Sequence, residues 1–360
     1  MPKSKKNILS EKEGIVPPEG LNPKAVERLR AKKRRLPKTD QLKEGILAGD
    51  ITALSRGITL IESTAKRHQQ QGSELVKHCL PHSGRSLRIG LTGVPGVGKS
   101  TFIEQMGLHL IQQGRKVAVL AVDPSSSLSK GSILGDKTRM EQLVQQANAY
   151  IRPSASGDSL GGVARKTREA IILCEAAGFD VIIIETVGVG QSETAVHSMT
   201  DFFLLLKLAG AGDELQGIKR GIIEMADAIV INKADGENKK AARQAKLAFN
   251  RALHLYPPKE NGWVPKTLEA SALEGTGIDK TWDLLVDFKE KMVDSGAFQS
   301  RRNDQLRYWL EQTISDSLRS RFYGNKKIKK VLDKQLELLK AQQTTPYHAA
   351  MALLELFERD

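Results

Sequence analysis

The stretch Gly93-Val94-Pro95-Gly96-Val97-Gly98-Lys99-Ser100 has the spacing GxxxxGK[ST] and follows the apolar run Leu87–Thr92 directly, with a helix expected to open at Lys99. Glycines so placed let backbone N–H groups close around phosphate oxygens at a helix N-terminus, and a lysine there neutralises the β and γ oxygens. The Ser100 hydroxyl suits a ligand of Mg²⁺, and Thr101 follows in the same turn. A plain Gly-rich turn is the alternative, and the strand before and helix after argue against it. Phosphate loops serve several bases, so base choice needs separate evidence. It comes from Asn232-Lys233-Ala234-Asp235 at the end of the apolar run Ala228–Ile231. A carboxylate at Asp235 can accept from both N1–H and the 2-amino group of guanine, whereas adenine offers no such donor pair. Two charge-assisted hydrogen bonds imply roughly 10²–10⁴-fold discrimination. Further on, Glu269-Ala270-Ser271-Ala272 ends another apolar stretch, at the position where a backbone N–H can meet guanine O6. The run Val181–Ile184 delivers Glu185 and then Gly188 at its C-terminal end, the edge at which open α/β sheets bind ligands, so Glu185 is expected to face Mg²⁺. Asp123, after Val117–Val122, reaches the same edge or serves as a loop cap. Together these residues are equipped to hold GTP or GDP with Mg²⁺ and to hydrolyse GTP by positioning and charge neutralisation.

Positioning these residues requires a sheet. Leu87–Thr92, Val117–Val122, Val181–Ile184, Phe202–Leu206 and Ala228–Ile231 are short continuous apolar runs separated by amphipathic segments, the pattern of a parallel sheet covered on both faces. The fold class expected is α/β: a mostly parallel P-loop NTPase sheet with helices on both faces, plus N-terminal and C-terminal helical extensions. Residues 1–20 are polar, contain Pro17-Pro18 and read as a flexible basic lead-in. Residues 21–84 read as an N-terminal helical layer, with Ile46, Leu47, Ile51, Leu54, Ile58, Leu60 and Ile61 at helical spacing and Asp50 as a cap. The nucleotide-binding domain spans 85–296. Residues 297–360 are expected to be all helical. Leu306, Trp309, Leu310, Ile314 and Leu318 form a stripe there that either folds back or pairs with a second subunit.

The net charge of +13 is concentrated at the ends: residues 1–50 carry 13 basic and 7 acidic side chains, and residues 300–360 carry 12 and 8. A positive field suits polyanions in general, including nucleotides, coenzyme A esters and nucleic acid. The run Lys32-Lys33-Arg34-Arg35 has no interleaved aromatic residue to stack bases, so it reads as a solvated helix end and no nucleic-acid partner is expected. No apolar stretch approaches the length of a membrane span. The acidic residues Glu11, Glu13 and Glu19 argue against a secretory signal or a mitochondrial presequence, so the expected location is cytoplasmic with no membrane association. Cys79 and Cys174 stand far apart and outside any CxxC pair, which points to core residues rather than a disulfide or thiolate site.

The ordered set GVPGVGKST, VDPSSSLSKGSILGDKTRM, ETVGVGQSE, GAGDELQGIKRGIIEMAD, NKAD and EASALEGTGI closely resembles the MeaB/ArgK-type GTPases, chaperones of adenosylcobalamin-dependent methylmalonyl-CoA mutase, over about residues 40–340. The usual small GTPases have Asp where this chain has Glu185. The resemblance implies a GTPase in which Lys99 and Ser100 meet phosphate and Mg²⁺, Asp123, Asp136 and Glu185 surround the metal and γ-phosphate, and Asn232, Lys233 and Asp235 hold guanine. It implies nucleotide-sensing switches at 188–193 and 210–219, with Gly188, Gln191, Asp213 and Lys219 as candidate residues. Gln191 is open to two readings, orienting water or shaping the switch. The implied partner is the mutase or a related acyl-CoA mutase, whose cobalamin loading and protection would be gated by nucleotide state. The implied assembly is a homodimer held by the C-terminal helices. An ArgK-type kinase of a periplasmic amino-acid-binding protein and a nucleotide-stabilised scaffold are the competing functions. Relatives that deliver nickel carry Cys or His ligands near the phosphate loop. This chain has only His109 between Gly93 and Gly190, and Cys174 falls in an expected helix, so no nickel site is expected.

Overall fold

The structure, a computed structural model, describes residues 39–122, 140–153, 160–186, 192–210 and 220–359. Three helices come first: α1 (Thr39–Leu47), α2 (Ile51–Glu62) and α3 (Lys66–Cys79). Asp50 caps α2 as its sequence position predicts, with Oδ1 accepting from the Thr52 amide at 2.8 Å. The chain then alternates: β1 (Leu87–Gly93), α4 (Lys99–Gln112), β2 (Val117–Val122), α5 (Glu141–Val144), β3 (Ala149–Arg152), α6 (Leu160–Ala176), β4 (Val181–Thr186), α7 (Ser192–His197) and β5 (Phe202–Leu208). Next come α8 (Arg220–Met225), β6 (Ala228–Asn232), α9 (Lys239–Leu253), β7 (Lys266–Glu269) and α10 (Ile278–Asp294). Three further helices end the chain, α11 (Ala297–Gly324), α12 (Lys326–Lys340) and α13 (Pro346–Glu358).

The seven strands form one parallel sheet in the order β3-β2-β4-β1-β5-β6-β7. The five apolar runs supply its centre, each within two residues of its expected end. The two edge strands, β3 (AYIR) and β7 (KTLE), carry no apolar run, because an edge strand needs to bury only part of its surface. Alternation along β4 divides the core between the two faces. Ile182 and Ile184 pack with α1, α2 and α6, in a cluster containing Leu54, Ile58, Leu173 and Phe203. Val181 and Ile183 pack with α4 and α10, in a cluster containing Phe102, Ile103, Leu285 and Phe288. Cys79 and Cys174 are buried, unpaired thiols of the first cluster, and burial pushes the Cys79 thiol up to about 11.

The C-terminal region is helical as expected, but its apolar stripe divides between two faces. Trp309 is buried against the sheet domain, with Nε1 donating to the Ser198 carbonyl at 2.9 Å and the Arg168 guanidinium 3.5 Å above its ring. Arg302, two turns earlier on the same face, donates to both oxygens of Asp201 (2.8 and 2.7 Å) and to the carbonyls of Gly84 and Ser86. The first turns of α11 are therefore part of the folded domain. Leu306, Leu310, Ile314 and Leu318, spaced by four, lie on the other side at 69%, 63%, 50% and 54% exposure.

Candidate functional site

β1 runs into the phosphate loop, and the loop hands over to α4 through Gly98, whose φ of +92° is a left-handed conformation. A side chain there is excluded twice, since a Cβ would also lie 2.8 Å from Asn232 Nδ2. Lys99 Nζ donates to the Gly93 carbonyl at 2.9 Å and the Val94 carbonyl at 3.4 Å, which holds its ammonium over the loop. Pro95 and Gly96 form the exposed tip, Val97 is fully buried, Ser100 is half-buried in the first turn of α4, and Thr101 is exposed.

The candidate base-recognition residues meet this loop through Asn232. Its Nδ2 donates to the Val97 carbonyl at 2.8 Å, and its Oδ1 accepts from the Ala272 amide at 3.2 Å. One buried side chain thus ties the phosphate loop, the end of β6 and the segment after β7 together. Lys233 follows with φ +58°, an uncommon conformation for a non-glycine residue that turns the chain at this point. Asp235 Oδ2 accepts from the Ser271 hydroxyl at 2.5 Å, and that hydroxyl in turn accepts from the Glu274 amide at 3.1 Å. Ser271 therefore orients the carboxylate that the sequence marks for guanine. The loop is closed by Gly277 (φ +77°), where a Cβ would come within 2.3 Å of the Glu269 carbonyl.

Glu185 pairs in register with Leu91 of β1 and Ala121 of β2, and alternation puts it on the same face as Val181 and Ile183, the face that α4 covers through Phe102 and Ile103. The Ser100 hydroxyl and the Glu185 carboxylate are hard oxygen donors of the kind Mg²⁺ takes, so the residues present fit that ion. Bound there, Mg²⁺ would neutralise charge on the phosphate oxygens. Asp123, Asp136, Gly188, Gln191, Asp213 and Lys219 lie outside the described residues. Among the described residues no cluster of three or more His, Cys, Asp or Glu side chains could hold a metal. A cavity of about 1010 Å³ between α7, α8 and the start of α11 is lined by Thr194, His197, Glu224, Lys259, Arg301 and Asp304. None of the sequence-predicted site residues lines it.

A contact that no sequence motif marks lies behind the candidate site. Thr186 Oγ1 donates to Thr92 Oγ1 at 2.7 Å, with both residues buried. The available signal was a threonine near the C-terminal end of each of two largely apolar strands, next to a motif residue.

A parallel sheet in this order, with a phosphate loop after β1 and an Asn-Lys-x-Asp turn after β6, defines a P-loop GTPase. Comparison with known sequences narrows the class. The family described as Methylmalonyl Co-A mutase-associated GTPase MeaB matches residues 54–327, and the chain belongs to that family. It is 50% identical over 317 residues to a probable GTPase of Mycobacterium tuberculosis, covering 88% of this chain and 94% of that protein. To GTPase ArgK of Escherichia coli it is 44% identical over 310 residues, covering 86% and 94%. To the mitochondrial methylmalonic aciduria type A homolog of Mus musculus it is 44% identical over 329 residues, covering 89% and 79%. The solved structure of a LAO/AO transport system kinase superposes with a TM-score of 0.73 at 37% identity, covering 89% of this chain and 98% of the other. The chain is a GTP-hydrolysing enzyme.

Proposed function

We propose that this GTPase works with Mg²⁺ as a chaperone of an adenosylcobalamin-dependent acyl-CoA mutase of the methylmalonyl-CoA mutase type, and that its nucleotide state gates cobalamin loading and protection. The observation that carries this reading is the family match over residues 54–327, in a family named for association with that mutase. The output is conformational: hydrolysis removes the γ-phosphate, and a partner that binds the two nucleotide states unequally is shifted between cofactor-accepting and closed forms. The site residues proposed are Lys99 with the loop 93–101 for phosphate, Ser100 and Glu185 with Asp123 and Asp136 for Mg²⁺ and the γ-phosphate, and Asn232, Lys233, Asp235, Ser271 and Ala272 for guanine. The switch residues proposed are Gly188, Gln191, Asp213 and Lys219. The compartment proposed is the cytoplasm; no described helix is long and apolar enough to cross a membrane.

We also propose a homodimer. Support comes from the exposed row Leu306, Leu310, Ile314 and Leu318 on α11, and from an apolar groove of about 630 Å³ between α11, α12 and α13 lined by Phe322, Leu336, Leu339 and Leu353. Apolar surface of that extent is uncommon on a soluble monomer.

A second reading, a kinase of an amino-acid-binding protein, is favoured by the name of the structural neighbour. Guanine selectivity at Asp235 counts against it. GTP turnover measured with and without purified mutase tests the two together. Turnover that responds to the mutase supports the chaperone, whereas phosphate transferred to a binding protein with no response to the mutase rejects it.

A further inference from the structure

We propose that Thr92 and Thr186 are a positioning pair for GTP hydrolysis, their buried hydroxyl bond fixing the end of β4 that presents Glu185 against the end of β1 that opens the phosphate loop. Thr92 immediately precedes Gly93, whose carbonyl holds Lys99 Nζ, and Thr186 immediately follows Glu185. The backbone register between β1 and β4 runs from Leu87↔Val181 to Leu91↔Glu185. The next rung is the side-chain bond, Thr186 Oγ1 to Thr92 Oγ1 at 2.7 Å, with Thr186 at 0% and Thr92 at 2% exposure. It continues the cross-link where the backbone ladder between β1 and β4 ends.

Alternation places this pair on the sheet face opposite Glu185 and the helix α4 that packs there. That face is closed by α7 and the turn after it: at Gly90, two residues before Thr92, a Cβ would meet Phe203, Thr200 and Val196 at 2.7 to 3.0 Å. The face that the threonines share is thus close-packed at Gly90, and the strand ends that they join carry Glu185 and the start of the phosphate loop. Valine would fill the same volume, suit a buried strand equally and bury no hydroxyl. What the hydroxyls add is a directional bond of fixed length. In a site that works by positioning, a misplacement of about 1 Å costs on the order of 10²-fold in rate.

This inference rests on the proposed role of Glu185 toward Mg²⁺, and the experiment separates the two. In the full-length chain, Thr186→Val is expected to lower kcat for GTP by about tenfold or more with KM changed less than about twofold, the pattern of an interaction that matters in the transition state. The Mg²⁺ concentration needed to slow release of a fluorescent GDP analogue should rise severalfold, a readout independent of turnover. Thr92→Val should behave alike, and the double variant no worse than either single, because each removes the same bond. Thr186→Ser should restore both readouts. The double variant also guards against misfolding, since removing both polar partners leaves no buried hydroxyl unpaired. A double variant that melts with the parent, turns over GTP at the parental rate and keeps the parental Mg²⁺ response overturns the proposal. Glu185→Gln in the otherwise unchanged chain tests the premise: if the Mg²⁺ response survives it, the premise falls and the proposal with it.

Discussion

At the scale of single residues, the candidate nucleotide site is a set of side chains each held by another group of the protein. Asp235 is aimed by Ser271, Asn232 is bonded at both ends, and Lys99 lies over its own loop. For Asp235→Asn the expected outcome is a shift of preference from guanine to xanthine nucleotides, because an amide can donate where the carboxylate accepted. In the parent, ATP should bind at least ~10²-fold more weakly than GTP, the worth of the two lost hydrogen bonds. Calorimetry with GTP, XTP and ATP checks both, and equal affinities for GTP and ATP in the parent would reject the assignment of Asp235. Lys99→Ala should abolish GTP hydrolysis without unfolding the protein, since the half-buried ammonium contacts loop carbonyls rather than the apolar core. Parental turnover in a folded variant would remove Lys99 from the mechanism.

At the scale of elements, the helix after the Glu185 strand is coupled to the C-terminal extension. His197, the last residue of α7, lies edge-on to Phe203 at 5.5 Å between centroids, with Arg301 Nη2 3.3 Å from its Nε2. Arg301 also faces Asp227, which accepts from Lys259 Nζ at 2.6 Å. Burial, and secondarily the neighbouring Arg301 charge, pushes His197 down to about 4, so it is neutral in the folded state at neutral pH. The unfolded chain binds a proton at this residue from about 6.5 downward and the folded chain resists it. Stability from this group is therefore present above about pH 6.5 and is lost as pH falls toward 4. Urea unfolding of the parent should show a midpoint that drops between pH 7 and pH 5, and His197→Gln should flatten that drop. An unchanged pH slope in the variant would show that other groups carry the acid sensitivity.

At the scale of the whole molecule, α11 has two duties on opposite faces. One face, through Arg302, Gln305 and Trp309, grips the turn Ser198–Asp201. The other presents Leu306, Leu310, Ile314 and Leu318. This division decides how the dimer must be tested. Deleting everything after Gly296 would remove Trp309 and Arg302 and uncover the core that they close, so loss of the dimer in that truncation would not separate assembly from folding. The informative variant is Leu310→Glu with Ile314→Glu, which places charge on the exposed face and leaves the anchoring face intact. Light scattering of the parent at micromolar concentration should give twice the 39.6 kDa chain mass, and the double variant should fall to one chain mass with its melting transition retained. A parent that scatters as one chain at that concentration would exclude the dimer.

Much of the candidate site is legible in the sequence, because its chemistry is written in contiguous residues whose backbone conformation is local. A phosphate loop needs glycines at set positions and a lysine beside a helix start, and the guanine turn needs its carboxylate at the end of a buried strand. Both read directly as Gly93–Ser100 and Asn232–Asp235. The central strands were legible for a related reason, since burial on both faces leaves continuous apolar runs. The edge strands β3 and β7 were not, because a half-covered strand of four residues leaves no such run. The periodicity of α11 showed that apolar residues recur along a helix, and it could not assign them to partners. Trp309 and Leu310 are adjacent in the chain, yet one is buried beneath Arg168 and the other is 63% exposed, a difference set only by where the α7–β5 turn lies in space. Tertiary structure alone also decided that Thr92 and Thr186, 94 positions apart, share a hydrogen bond. Sequence carries the residue types and the local geometry of each motif, while the contact between two motifs depends on strand order, which brings β4 beside β1.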